Sequence, residues 1–382
     1  MHSESPEGEQ SDVVIAASGL FTPVDTITND ELVDAFNAWV DQANEENREA
    51  IAAGEAEPLV HSSSSFVQAA SGIESRYVMD REGILDPAIL APRLRERSDG
   101  EPAIQCEMAF EAATQALIRA GRRGDEVDCV LVACSNLERP YPAVAVELQD
   151  RLGAGGWAYD MNVACSSATF GIQAGVDALR AGSADRVLVV NPEICTGHLN
   201  FRDRDSHFIF GDACTAVLLE RPSSESAPSA FRVLGTRLET RFSNNIRNNF
   251  GFLNRSRPDS VDAADKLFVQ QGRKVFKEVV PMVADLIVAH LAELGIAPQS
   301  LKRLWLHQAN LAMNRLIARK VLGREATAEE APVILDRYAN TSSAGSIIAF
   351  HEHHADFESG DLGLICSFGA GYSVGSVVVE KV

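Results

Sequence analysis

Positive charge is scarce in this chain. Its 382 residues include 34 Lys and Arg against 54 Asp and Glu, a formal charge of −20. Attraction to nucleic acid or to anionic lipid is therefore disfavoured, and an anionic partner must find a local basic patch. Long apolar runs are missing too: stretches such as Val130–Cys134 and Val187–Val190 have strand length, far below the roughly 20 residues of a membrane span. The first residues, Met1 to Ser11, are polar and acidic and show no apolar leader, so a cytoplasmic protein with neither membrane nor nucleic acid as partner is expected. The seven cysteines are odd in number and contain no C-x-x-C pair. That spacing argues against a disulfide framework or a zinc ribbon and leaves room for one nucleophilic thiol.

What the chain does have is a layered α/β pattern, with short β-rich runs alternating with segments of helical period. Glu107–Ala120, Ser166–Ala181, Val275–Leu294 and Ala312–Leu322 read as helices. Val127–Ala133, Arg186–Val190, Arg303–Leu306, Gly363–Ser367 and Ser376–Val379 read as strands. Arg221–Ala230 (RPSSESAPSA) has the composition of a linker. Asp41–Ser65, rich in Glu, Ala, Asn and Ser, reads as an inserted charged helix followed by a polar loop.

An internal echo sets the architecture. Ala164-Cys165-Ser166-Ser167-Ala168 opens a helix that leads to the strand RVLVV. About 175 residues later, Ala339-Asn340-Thr341-Ser342-Ser343-Ala344 opens a second helix, expected to end near Gly360, that leads to LGLICS. Small hydroxyl-bearing residues at both helix starts allow close backbone approach and capping. Two related halves, residues 12–220 and 231–382, each offering a helix start to a shared site, follow from this reading; chance likeness of two Ala/Ser-rich helix starts is the competing one.

Cys165 is the candidate nucleophile, because unpaired N–H groups at a helix start favour an anion and are expected to lower the thiol pKa. The other six cysteines sit in apolar or turn contexts and read as small packing residues. His307 follows a short strand in a polar cluster, His307-Gln308-Ala309-Asn310, and strand ends are where α/β sites form. Asn340 occupies in the second copy the place of Cys165 in the first. The turn Ser367-Phe368-Gly369-Ala370-Gly371-Tyr372 has little side-chain chemistry, so its use is read as backbone: an N–H beside Cys165 in an oxyanion hole. No helix follows it, which excludes a dinucleotide fingerprint. The tract His351-Glu352-His353-His354 lacks the spacing of a helical zinc site and reads as a solvated helix face.

Five motifs, VACSSATFGI, FRDRDSHFIFGDACTAVLLE, LWLHQAN, YANTSSAGS and SFGAGYSVGS, stand in one order that closely resembles the β-ketoacyl-acyl carrier protein synthase III family of the thiolase superfamily. The resemblance implies an α/β thiolase-like fold of two pseudo-symmetric halves in α-β-α-β-α layers. It also implies a Cys165–His307–Asn340 triad, with the backbone N–H groups of Cys165 and Ala370 as oxyanion hole. An acyl-CoA primer would acylate Cys165, malonyl-acyl carrier protein would decarboxylate, and the carbanion would attack to give 3-oxoacyl-carrier protein in fatty acid synthesis, without metal or other cofactor.

Departures from the family pattern bear on substrate choice. The CoA-contacting tryptophan is here Phe66 and one arginine is Ala70, while Arg204 keeps the other. An arginine facing the carrier protein is replaced by Ala312, whereas Lys277, Arg319 and Lys320 match basic docking positions. Tyr141 takes the place of a phenylalanine that closes the acyl pocket from the neighbouring subunit, which implies a homodimer. Together with the insertion this leaves room for a primer longer than acetyl, and a medium straight-chain acyl-CoA is expected. A thiolase-superfamily enzyme of secondary metabolism that does not use carrier protein is the alternative. Papain-like hydrolases share the Cys, His, Asn order but need a C-G-S-C-W neighbourhood that is absent.

Overall fold

The computed structural model describes residues 12–222, 230–249, 256, 258–260 and 263–382. Met1–Ser11 and all but the ends of the expected linker Arg221–Ala230 lie outside the described residues. The chain enters through β1 (Val14–Phe21) and leaves for a cap of β2 (Asp25–Thr28), α1 (Asn29–Glu46), α2 (Arg48–Ala52), α3 (Ser64–Ser71), β3 (Ser75–Val78) and α4 (Arg81–Leu85). It returns as α5 (Ile104–Ala120), β4 (Cys129–Ala133), α6 (Val144–Leu152), β5 (Trp157–Met161), α7 (Ser167–Arg180), β6 (Arg186–Ile194) and β7 (Asp212–Glu220). Next come β8 (Phe231–Ser243), a ribbon of β9 (Ile246–Arg247) and β10 (Val269–Gln270), α8 (Gly272–Glu293) and β11 (Leu301–Leu306). The chain closes with α9 (Leu311–Leu322), α10 (Leu335–Tyr338), α11 (Ala344–Glu352), β12 (Leu362–Gly369) and β13 (Gly371–Lys381).

The internal echo is visible in the pairing. In the first half β1, β7, β6 and β4 are neighbours in that order, antiparallel, antiparallel, then parallel. In the second half β8, β13, β12 and β11 repeat the same order and senses. The helix before β6 is α7 and the helix before β12 is α11, so the two motif-bearing helix starts are topological equivalents. The halves are joined by short pairing of β1 with β8, Val14 with Arg232 and Ile15 with Phe231, which merges them into one nine-stranded sheet ending at β5.

Both faces of the central strands are apolar, and period-2 alternation sends successive residues to different layers. In β6, Val187 and Val189 pack against α7 and α11, while Leu188 and Val190 pack under α5 and α6. In β12, Ile365 joins the same central layer, and Leu364, Cys366 and Phe368 pack under α8 and α9. The result is helices outside, sheet, paired helices, sheet and helices outside. The motif helices are buried in the middle layer, their starts facing the same region.

Two sequence expectations change. The helix after Asn340 stops at Glu352, well before Gly360, because β11 supplies donors to its end: Arg303 Nη1 (2.7 Å) and Trp305 Nε1 (3.0 Å) both bond the His353 carbonyl. Asp41–Glu46 forms the last turns of α1, which begins at a capping box of Thr28 and Glu31, so of the expected inserted helix only the short α2, Arg48–Ala52, is separate. The loop after it folds back on α1, Asn44 holding Leu59, Asn37 holding Ser62, and Asp41 bonding His61 at 2.7 Å.

Candidate active site

Three strained residues shape the two helix starts. Ala164 (φ +48°) precedes Cys165, Ala339 (φ +54°) precedes Asn340, and Ser342 has φ +49°. These left-handed conformations are unfavourable for residues with a Cβ and persist only where surrounding bonds enforce them. Around Cys165 the enforcing bonds come from Asn162, whose Oδ1 accepts the Ala164 N–H (2.9 Å), and from Ser167 Oγ, which accepts the Val163 N–H (2.8 Å) and donates to the Ala164 carbonyl (2.7 Å). Around Asn340, its own Oδ1 accepts the Ser342 N–H at 2.9 Å, and its backbone N–H bonds the Ile209 carbonyl at 3.0 Å. That amide orientation leaves the Asn340 NH2 as a free donor.

His307 lies one residue past β11, its N–H bonded to the Cys366 carbonyl at 2.7 Å. Gln308 secures the loop by accepting the Ile334 and Leu335 N–H groups, and Asn310 caps α9 while donating to the Ala70 carbonyl on α3 at 2.7 Å. Cys165, His307 and Asn340, far apart in the chain, line one cavity of about 290 Å³ with Phe208, Phe210, Phe268, Val275 and Met313. Aromatic and aliphatic walls with a few converging polar groups are the usual make-up of a small-molecule site.

Burial dominates the electrostatics and corrects the expected lowering of the thiol pKa. Enclosure pushes Cys165 up to about 11, against the opposing pull of Ser342, the Ala370 N–H and its own N–H. Burial likewise drives His307 down to about 4, with the Ser342 backbone acting in the other direction. A neutral thiol thus shares the cavity with a neutral imidazole. Burial also holds His198, His207, His290 and His351 at about 4, the last of these contrary to the expected solvated helix face. Each folded pKa lies below the unfolded one, so the unfolded chain takes up protons first and stability falls as pH drops from about 6.5 toward 4. Asp212, raised to about 6 by burial, opposes this over part of the range. The melting temperature is expected to be lower at pH 5 than at pH 7; scanning calorimetry that finds no decrease would contradict it.

The turn after β12 lies directly against Cys165. A Cβ on Gly369 would stand 2.6 Å from Cys165 Cβ and 2.9 Å from its sulfur, so glycine is a packing requirement here. Gly369→Ala is expected to lower acyl transfer by about 100-fold, on the scale of a misplaced oxyanion donor, with the fold retained; acylation kinetics at a wild-type rate would contradict this.

The remaining expected site residues divide. Arg204 lies over the ring of Phe66 at 4.2 Å, and its Nε donates to the His61 carbonyl at 2.8 Å, so the loop of residues 53–63 reaches the region of the expected CoA contacts. Tyr141 is 81% exposed and does not line this cavity. Lys277 is exposed on α8, one residue beyond the cavity-lining Phe276. Arg319 and Lys320 lie at the far end of α9, and Arg319 is engaged by Glu325 at 3.1 Å. Arg273, Lys274 and Arg315, which the sequence reading passed over, are also exposed on these helices and make no ion pair among the described residues. Two buried groups were missed as well. Ser342 donates its N–H to Asn340 Oδ1, and it acts against burial on the pKa values of Cys165 and His307. Glu193 accepts N–H and hydroxyl bonds from both Ser135 and Ser343, tying β4 to the start of α11. The hydroxyl-rich run around Ser342 was a visible signal; nothing marked Glu193.

Comparison with known proteins decides the family. Residues 159–240 match the family model described as 3-oxoacyl-[acyl-carrier-protein] synthase III, and residues 291–381 match the one for its C-terminal part. A beta-ketodecanoyl-[acyl-carrier-protein] synthase of Pseudomonas aeruginosa is 62% identical over 349 residues, 91% of this chain and 100% of the relative. The chain belongs to the 3-oxoacyl-[acyl-carrier-protein] synthase III family. A beta-ketoacyl-[acyl-carrier-protein] synthase III of Roseiflexus is 31% identical over 75% of this chain and 87% of its own length. The crystal structure of 3-oxoacyl-[acyl-carrier-protein] synthase III from Aquifex aeolicus superposes with a TM-score of 0.74 at 23% identity, covering 97% of this chain and 99% of that one, which shows the thiolase-like fold. As a synthase III the protein is an acyltransferase, a condensing enzyme of fatty acid synthesis.

Proposed function

We propose that this synthase III extends a medium-chain acyl-CoA, centred on eight carbons, by condensation with malonyl-acyl carrier protein. The observation that carries the chain length is the 62% identical relative, a beta-ketodecanoyl synthase: a ten-carbon product contains two carbons from malonyl and eight from the primer. Cys165 attacks the primer thioester, its S–C bond forming as the C–S bond to CoA breaks, and CoA leaves as the thiol. The N–H groups of Cys165 and Ala370 receive the oxyanion. In the second half-reaction the His307 imidazole and the Asn340 NH2 hydrogen-bond the malonyl thioester oxygen while the bond to CO2 breaks. The resulting carbanion displaces Cys165 from the acyl group as a thiolate, which takes up a proton from solvent. Every donor is part of the chain, so these steps call on no cofactor.

Phe66 and Arg204 are assigned to CoA, and the exposed Lys277 to the acidic carrier; Arg319 contributes less because Glu325 holds it. Lys320, exposed in the last turn of α9, is assigned to the same role. A homodimer is supported by β5, which ends the sheet with Trp157 and Tyr159 exposed, and by the neighbouring exposed Tyr141, which would enter the partner's acyl pocket. Among the described residues no helix is long and apolar enough to cross a membrane, in keeping with action in the cytoplasm. Turnover across acyl-CoA chain lengths tests the reading: kcat/KM is expected to peak near octanoyl with malonyl-carrier protein as the second substrate. An optimum at acetyl, or equal turnover with malonyl-CoA, would overturn it.

A further inference from the structure

The turn that carries the Ala370 N–H has little side chain of its own, though Gly369 packs on Cys165 and pairs with Ser373 across the β12–β13 hairpin. Residues 369–371 are Gly-Ala-Gly, and Gly371 has φ +132°, a conformation open to glycine. Beyond that strand pairing, the turn is held by polar anchors on the next two residues. On one side Ser373 Oγ bonds the Ala370 carbonyl and Ser166 Oγ, both at 2.9 Å, fastening the turn to the start of α7. On the other side Tyr372 is 2% exposed. Its hydroxyl donates to Glu278 Oε2 on α8 at 2.8 Å and accepts from Asn245 Nδ2 at 2.7 Å. Asn245 Nδ2 also reaches the same Glu278 oxygen at 3.0 Å, and its carbonyl accepts the Gln271 N–H where α8 begins. Buried tyrosine hydroxyls normally find a partner; this one closes a three-membered network whose other end is the first turns of α8.

We propose that Tyr372, Glu278 and Asn245 are positioning residues that set the Ala370 N–H opposite the Cys165 sulfur, and so act on acyl transfer to the cysteine rather than on malonyl decarboxylation. The inference rests on the function proposed above. Decarboxylation is insulated because its donors stand elsewhere: His307 follows β11 and Asn340 precedes α11, each held by its own bonds. A donor displaced by a fraction of an ångström forfeits much of its transition-state contact, which sets an expected loss of about 10- to 100-fold in acylation.

The experiment measures the half-reactions separately. Acylation by octanoyl-CoA is followed by rapid quench and intact-protein mass spectrometry, and CO2 release from malonyl-carrier protein is measured without primer. Tyr372→Phe and Glu278→Ala are each expected to slow acylation by about 10- to 100-fold while decarboxylation stays within about threefold. Glu278→Gln, which keeps an acceptor oxygen for the tyrosine, should recover most of the rate. The double variant Tyr372→Phe/Glu278→Ala should be no slower than the worse single one, because the pair acts as a unit. Unchanged acylation in Tyr372→Phe, or equal loss of both half-reactions together with a lowered melting temperature, overturns the positioning role. A wild-type protein that forms no acyl-enzyme instead overturns the proposed function, and this inference with it.

Discussion

Cys165→Ala protein incubated with octanoyl-CoA is expected to carry no covalent acyl group, and its condensation rate to fall by a factor on the order of 10⁴ or more, the scale seen when a covalent nucleophile is removed. The six other cysteines do not substitute, because all are buried. Burial raises the thiols of Cys134, Cys195, Cys214 and Cys366, and it raises Cys106 and Cys129 to about 12. The wild-type sulfur, at about 11, is a thiol throughout the neutral range. Its alkylation by iodoacetamide should therefore accelerate about tenfold per pH unit between pH 7 and 9, without a plateau, since the thiolate is the reactive form. An adduct that survives Cys165→Ala would refute the assignment. An alkylation rate that levels off below pH 8 would show that the helix start outweighs burial after all.

His307→Ala and Asn340→Ala are expected to lose decarboxylation of malonyl-carrier protein by about 10²- to 10⁴-fold, the range for removing a polarising donor or acid–base group. Acylation of Cys165 should decline by less than about tenfold, because the Ala370 and Cys165 N–H groups remain. The pH dependence follows from the direction of the His307 shift. With a value near 4 the imidazole is neutral above pH 5, so the decarboxylation rate should stay flat from pH 5 to 8 and change only as pH falls through about 4. CO2 release measured across that range checks both points. A titration near pH 6.5 would mean the imidazole is solvated, and equal loss of both half-reactions in either variant would show that the division of roles is wrong.

The two sets of donors are also held differently, which is why their failures should be separable. The oxyanion turn depends on bonds reaching α7 and α8, whereas Asn340 fixes its own amide against the Ser342 N–H two residues on. Local Asx bonding of that kind is written into the run Asn340-Thr341-Ser342 and was legible in advance. The Tyr372–Glu278–Asn245 network joins residues up to 127 positions apart and was not.

Elements of strong period were readable because their physics is local: α5 and α9 end at Gly121 and Gly323, with φ +67° and +73°, where glycine accepts the left-handed cap. Misreadings occurred where a distant group intervened. Arg303 and Trp305 cut α11 short from another strand, and the charged stretch Asp41–Glu46 turned out to continue α1. Cys165, His307 and Asn340 were singled out by their places at two helix starts and a strand end, and as a triad by the family resemblance of the motif order. Their protonation states could not be read that way. A helix start favours an anion over one turn of backbone, while the desolvation that overrides it depends on every layer folded around the sulfur. The sequence by itself marked two like halves, one placed thiol, and a histidine and an asparagine to accompany it. Only the tertiary structure decided that this thiol stays protonated, that Gly369 must be bare beside it, and that the turn presenting Ala370 is anchored from α8, because burial and long-range hydrogen bonds exist only once the layers have closed.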